Sequence, residues 1–197
     1  MLDTRLPHPR PGALIFDCDG TLADTMPTHY QAWQRTLAPL GAVFPLERFY
    51  GLAGVPTPTI AGLLASEYGL AVAAGELARR KEAAYLEMVE TVQPFAEVVA
   101  LAAAARGVLP MAVASGSHRS LVLGTLGAIG ITDWFGAIVA AEDTARHKPE
   151  PDVFLEAARR LGVLPPACLV LEDADLGLEA ARRAGMRAID VRVAPWR

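Results

Sequence analysis

Apolar residues recur along this chain in two rhythms. Short unbroken runs, Ala13-Leu14-Ile15-Phe16, Pro110-Met111-Ala112-Val113-Ala114 and Cys168-Leu169-Val170-Leu171, have the length and continuity of strands buried on both faces of a parallel sheet. Longer stretches repeat with a period near 3.6. Pro27 to Leu40 sets His29, Trp33 and Leu37 on one face, with Pro27 near the helix start. Further helices are predicted from about Pro58 to Tyr68 and from Ala74 to Val92, and Gly51, Gly54, Pro56 and Pro58 mark a loop before them. Beyond that block the rhythms alternate: helix Ala96–Ala105, strand Pro110–Ala114, helix His118–Leu126, strand Ala137–Ala140, helix Asp152–Leu161, strand Cys168–Leu171, helix Leu176–Ala184, strand Arg187–Val191. Such alternation predicts an α/β fold, a Rossmann-like doubly wound parallel sheet with right-handed crossovers. The expected division is a core of residues 12–24 and 92–197, with an α-helical cap, residues 25–91, inserted after the first strand.

Composition narrows this picture. With 197 residues, 52% of them apolar and 20% charged, the chain can bury a sizeable core. A net charge of -4 without a Lys/Arg run argues against a nucleic-acid or membrane-surface partner. No apolar run approaches the ~20 residues of a membrane span. Cys18 and Cys168 have no metal-type spacing and read as small core thiols, which suits a reducing cytosol and a cytoplasmic protein. Met1–Pro11, with three prolines and no apolar segment, reads as a loose tail rather than a signal peptide. A monomer is expected.

The chemistry gathers at strand ends. Asp17 and Asp19 stand one residue apart just beyond the first strand, followed by Gly20, where open α/β sheets bind their ligands. One Asp after a strand is usually a turn residue or an N-cap; two in this frame are harder to explain so. Close carboxylates repel unless a cation joins them.

Phe16-Asp17-Cys18-Asp19-Gly20-Thr21-Leu22 resembles the first motif of the haloacid dehalogenase superfamily. The other three motifs follow in order: Ser115-Gly116-Ser117 after an apolar strand, Lys148-Pro149 ahead of a helix, and Glu172-Asp173 after another strand. The resemblance implies that Asp17 is a nucleophile forming an aspartyl phosphate and that Asp19 is the general acid and base. It implies that Ser115, with backbone N–H groups near Gly116 and Ser117 at a helix N-terminus, holds phosphate. Lys148 then balances charge, and Mg²⁺ is held by Asp17, the Asp19 carbonyl and Asp173, with Glu172 beside it. Taken singly, Ser115 reads as an N-cap, Lys148 as a surface lysine and Glu172-Asp173 as helix caps. Asp24 and Asp175 are expected to be structural, and His118 and His147 to have no role.

Within the superfamily, Asp24-Thr25-Met26-Pro27-Thr28-His29-Tyr30-Gln31-Ala32-Trp33 is similar to the β-phosphoglucomutase-like branch, as is Lys81. His29 and Lys81 would then meet the substrate. Where the mutases carry a cap arginine, this chain has Thr57, in a loop more similar to that of the bacterial fructose-1-phosphate phosphatases. The expectation is hydrolysis of a small sugar phosphate. The rivals are β-phosphoglucomutase itself, a 2-haloacid dehalogenase, which needs neither the second aspartate nor a metal, and a non-enzymatic phospho-accepting switch, in which so large a cap is superfluous.

Overall fold

The computed structural model describes residues 6–194. The first strand, β1 (Ala13–Phe16), is completely buried and ends at Asp17. The chain then forms a two-residue strand, β2 (Ala23–Asp24), before entering helices α1 (Met26–Leu37), α2 (Leu46–Gly51), α3 (Thr57–Glu67) and α4 (Ala74–Leu86). It returns through β3 (Gln93–Pro94), which pairs antiparallel with β2 in a two-stranded ribbon where the helical insertion begins and ends. After it come α5 (Ala96–Ala105), β4 (Met111–Ala114), α6 (Arg119–Ala128), β5 (Ala137–Val139), α7 (Asp152–Leu161), β6 (Cys168–Glu172), α8 (Asp175–Arg183) and β7 (Arg187–Asp190).

The five longer strands form one parallel sheet in the order β5-β4-β1-β6-β7. Alternate residues of β1 serve opposite faces. Leu14 and Phe16 join Val98 and Leu101 of α5 and Leu126 of α6, whereas Ala13 and Ile15 join Phe154 and Ala157 of α7 and Ala180 of α8. This double coverage is why the strand sequences are apolar throughout. From β1 the chain moves outward to β4 and β5, then returns to β6 on the other side of β1. The switch point therefore lies between β1 and β6, at whose carboxyl ends Asp17 and Glu172-Asp173 stand.

The insertion has a core of its own, built on Trp33, Leu37, Phe44, Phe49, Leu64 and Leu77. A smaller cluster, in which Ala23, Ala32, Tyr85, Val89 and Leu121 meet, joins it to α6. Three differences from the sequence reading appear. Helices expected to run to Leu40 and Val92 end in 3₁₀ turns, Ala38–Leu40 and Val89–Thr91, and the first of these is closed by Gly41 in the left-handed region. Helix α2 and the β2–β3 ribbon were not anticipated. Of the expected loose tail, residues 1–5 lie outside the described residues, but Leu6 packs into the core and the Pro9 carbonyl accepts a 2.7 Å bond from Arg187. Among the described residues no helix is long and apolar enough to cross a membrane.

Candidate functional site

The backbone leaves β1 with the Asp17 N–H donating to the Leu171 carbonyl at 3.0 Å, which ties the residue to the end of β6. Alternation then sends Cys18 into the core beneath the sheet and leaves Asp17 and Asp19 on the cavity side. Gly20 follows with φ +82°, and a Cβ there would lie 2.2 Å from Asp173 Oδ2. The glycine thus serves two ends, a left-handed turn and the close approach of a third carboxylate. Thr21 Oγ1 donates to the other Asp173 oxygen at 3.1 Å.

Lys148 arrives from the segment before α7 and donates to Asp17 Oδ1 at 2.7 Å and to Glu172 Oε2 at 2.8 Å. Glu172 is fully engaged, because its Oε1 accepts the backbone N–H groups of Asp173 (3.2 Å) and Ala174 (3.0 Å). Room for this carboxylate comes from Gly177 in α8, where a Cβ would meet Glu172 Cδ at 2.1 Å. Oxygens of Asp17, Glu172 and Asp173 lie within 4.8 Å of one another. Burial, then the Glu172 charge, raises the Asp17 carboxyl well above its ordinary range, and the same two causes lift Asp173 to about 6. Burial alone would depress Lys148, but Asp17 and Glu172 outweigh it and keep the ammonium charged. One lysine cannot neutralise three acids, and an all-oxygen donor set of this kind suits a hard divalent cation.

Asp19 faces a different set of partners. His29 Nε2 meets its Oδ1 at 3.2 Å, and Ser117 Oγ donates to its Oδ2 at 2.6 Å. Burial alone would raise this carboxyl, yet the hydrogen bonds from His29 and Ser117 outweigh it and hold the group below the usual carboxylate range. Behind His29 stands Lys81, whose ammonium donates to Nδ1 at 2.7 Å. Burial and the Lys81 charge lower the His29 pKa. The ring is therefore neutral, accepting at Nδ1 and donating at Nε2.

Ser115 is buried, with its Oγ accepting the Ser117 N–H at 3.0 Å. At the start of α6 both oxygens of Glu142 accept the Arg119 N–H at 3.1 Å. Asp17, Asp19, Ser115, Lys148, Glu172 and Asp173 line one cavity of ≈ 130 Å³. The insertion supplies its far wall: Met26, Trp33, Phe49, Leu52, Val55, Thr57 and Ile60. His147, read from sequence as a bystander, also lines it, and among the described residues no arginine does.

A family model of haloacid dehalogenase-like hydrolases matches residues 11–185. The chain belongs to that family. Fructose-1-phosphate phosphatase YqaB of Escherichia coli (strain K12) is 40% identical over 187 residues, covering 94% of this chain and 99% of the relative. Beta-phosphoglucomutase of Bacillus subtilis (strain 168) is 31% identical over 189 residues, covering 91% and 82%. Among solved structures, CbbY from Rhodobacter sphaeroides in complex with phosphate superposes with a TM-score of 0.84 at 26% identity, covering 94% of this chain and 90% of that one. The fold is that of the haloacid dehalogenase-like hydrolases, and this member is a phosphatase.

In this hydrolase the two cap residues singled out from sequence, His29 and Lys81, both line the cavity. They form a chain, Lys81 to His29 to Asp19, that runs from the cap into the core. Lys81 is only 2% exposed. Burial lowers its pKa to about 8, so the folded protein disfavours the ammonium relative to the unfolded chain. That cost is complete below pH 8 and fades as pH rises from 8 towards the lysine's ordinary value, so stability should climb across this alkaline window. The shift corresponds to about 3 kcal/mol, part of which the bond to His29 offsets. Lys81→Met is therefore expected to stabilise the fold at pH 7 by about 1–2 kcal/mol while lowering activity. Urea melts at pH 7 and pH 10 test this; a variant less stable than the parent at pH 7 would contradict it.

Proposed function

We propose that this phosphatase hydrolyses small sugar monophosphates of the fructose 1-phosphate type through an aspartyl phosphate on Asp17. The observation that carries the reading is the division of the cavity: acids and Lys148 on its floor, an apolar far wall with Thr57 as its hydroxyl, and no arginine of the described residues in its lining. With Oδ1 held by Lys148, Oδ2 of Asp17 is the attacking oxygen. Asp19 stands across the cavity to protonate the departing sugar oxygen, and a phosphate dianion arriving beside it raises its proton affinity. After the sugar alcohol leaves, Asp19 takes a proton from the water that attacks the acyl phosphate. The P–O bond to Asp17 then breaks and inorganic phosphate departs. Lys148 compensates charge throughout.

The residues present fit Mg²⁺. Asp17 and Asp173 would hold it, with the Asp19 carbonyl assigned by resemblance, and Glu172, its oxygens already engaged, would serve to position Lys148. When bound, the cation supplies positive charge to the phosphate oxygens. The names of the relatives support the substrate class: the E. coli protein is called a fructose-1-phosphate phosphatase and a Thermotoga maritima relative a phosphorylated carbohydrates phosphatase.

In favour of the mutase reading stand the similarity to the Bacillus enzyme and the presence of His29 and Lys81. Against it, a mutase must grip the distal phosphate of a sugar bisphosphate, work suited to a bidentate arginine, and Thr57, at the start of α3, stands in that place. Incubation with fructose 1-phosphate, and separately with β-glucose 1-phosphate plus a trace of bisphosphate primer, distinguishes the two. Free phosphate from the first and little glucose 6-phosphate from the second are expected. Near-stoichiometric glucose 6-phosphate with negligible free phosphate would overturn the phosphatase reading.

A further inference from the structure

Beneath the His29 ring lies Tyr85, stacked at 4.1 Å between centroids and 16° between planes. Tyr85 belongs to α4 in the insertion and is completely buried. Its hydroxyl meets Oγ1 of Thr125, itself 1% exposed, at 2.7 Å across the boundary with α6 of the core. A buried phenol and a buried threonine hydroxyl each need a partner, and here each is the other's. The pair sits in a seam where the two helices run close. A Cβ on Gly124 would lie 2.9 Å from Leu86 Cδ2 and 3.7 Å from Val89 Cγ2, and one turn earlier Glu82 meets His118 at 3.3 Å.

We infer that Tyr85, anchored to the core through Thr125, is a positioning residue that fixes the plane of the His29 ring and thereby the aim of Nε2 at Asp19. The inference rests on the proposed role of Asp19 as general acid. His29 stands on α1, which packs mainly on α4, whereas Asp19 belongs to the core. Their 3.2 Å contact therefore depends on how the insertion is registered against the sheet. Rotation of the imidazole about Cβ–Cγ would break the Lys81 bond, the Asp19 bond and the stack together. Lys81 adds to the sandwich, its ammonium 5.7 Å from the centre of the Tyr85 ring. A tyrosine supplies both elements that this task needs, a flat face for the imidazole and a hydroxyl that reaches α6. Leucine supplies neither, and phenylalanine only the first.

The test compares two esters of different leaving-group demand. Loss of fructose as an alkoxide needs a proton from Asp19, whereas 4-nitrophenolate departs unaided, so in kcat/KM, which covers only the steps up to departure of the leaving group, the first ester alone senses how Asp19 is held. In Tyr85→Leu, kcat/KM for fructose 1-phosphate is expected to fall about 10- to 100-fold further than kcat/KM for 4-nitrophenyl phosphate. Tyr85→Phe keeps the stack and conserves the core packing; its differential loss should be about three- to tenfold, and Thr125→Val should match it. In a His29→Ala background, Tyr85→Phe should add nothing, because the ring it positions is gone. Equal losses on the two esters, or an undiminished Tyr85→Phe effect without His29, would overturn the inference while leaving the phosphatase reading intact. If the unmodified protein released phosphate from neither ester, both would fall together.

Discussion

Asp17→Asn is expected to lower turnover by at least about 10⁴-fold, the scale on which enzymes lose rate with their nucleophile, while the protein remains folded. The amide oxygen can still accept the Lys148 bond now made to Oδ1, so the local geometry survives. What disappears is the anionic oxygen that attacks phosphorus in the proposed mechanism. Stability should be unchanged or higher without divalent cation, because one of three carboxylates crowded within 4.8 Å loses its charge. Phosphate release and thermal unfolding, measured on the same preparation, check both halves. Turnover near that of the parent would remove Asp17 from the chemistry.

Withdrawal of Mg²⁺ is expected to have the second large effect. Neutralising the phosphate oxygens is worth several kcal/mol in reactions of this class, so excess chelator should cut the rate by about 10³-fold or more. A readout independent of catalysis comes from the same acids. Asp17 and Asp173 are both raised by burial and by Glu172, so a cation that binds them favours the folded state. Mg²⁺ at about a hundredfold above its dissociation constant should raise the melting temperature by about 5–10 °C. Asp173→Ala should abolish most of that rise. Full activity in chelator, with a melting temperature indifferent to Mg²⁺, would favour a metal-free reaction.

The parts of this site that could be read from the chain are those whose cause is local. Ala13–Phe16, Met111–Ala114 and Cys168–Leu171 are apolar at every position, and the acids, the serine loop and the Glu-Asp pair follow them directly. Hydrophobic continuity set the strands, and the residue after each strand had to lie at its carboxyl end. Lys148 was found through resemblance, as nothing in its own neighbourhood distinguishes it from a surface lysine. Helix α2 was missed because six residues carry little periodicity, and the ribbon because strands of two residues exist only through their pairing.

Other features have no local cause. Gly20 and Gly177 read as a turn glycine and a helix glycine; their necessity comes from Asp173 and Glu172, side chains from distant parts of the chain. Glu142 covers the start of α6 from the loop after β5, which no spacing could announce. Lys81 and His29 both line the cavity, and their 52-residue separation closes into a hydrogen bond only when α4 packs on α1. By itself, then, the sequence determined the sheet's strands, the longer helices and the acids and serines that follow the strands, because periodicity and side-chain type are properties of short stretches. Tertiary structure alone decided the strand order that sets β6 beside β1, the engagement of both Glu172 oxygens, and the relay from Lys81 through His29 to Asp19, because each depends on distances between segments that only packing brings together.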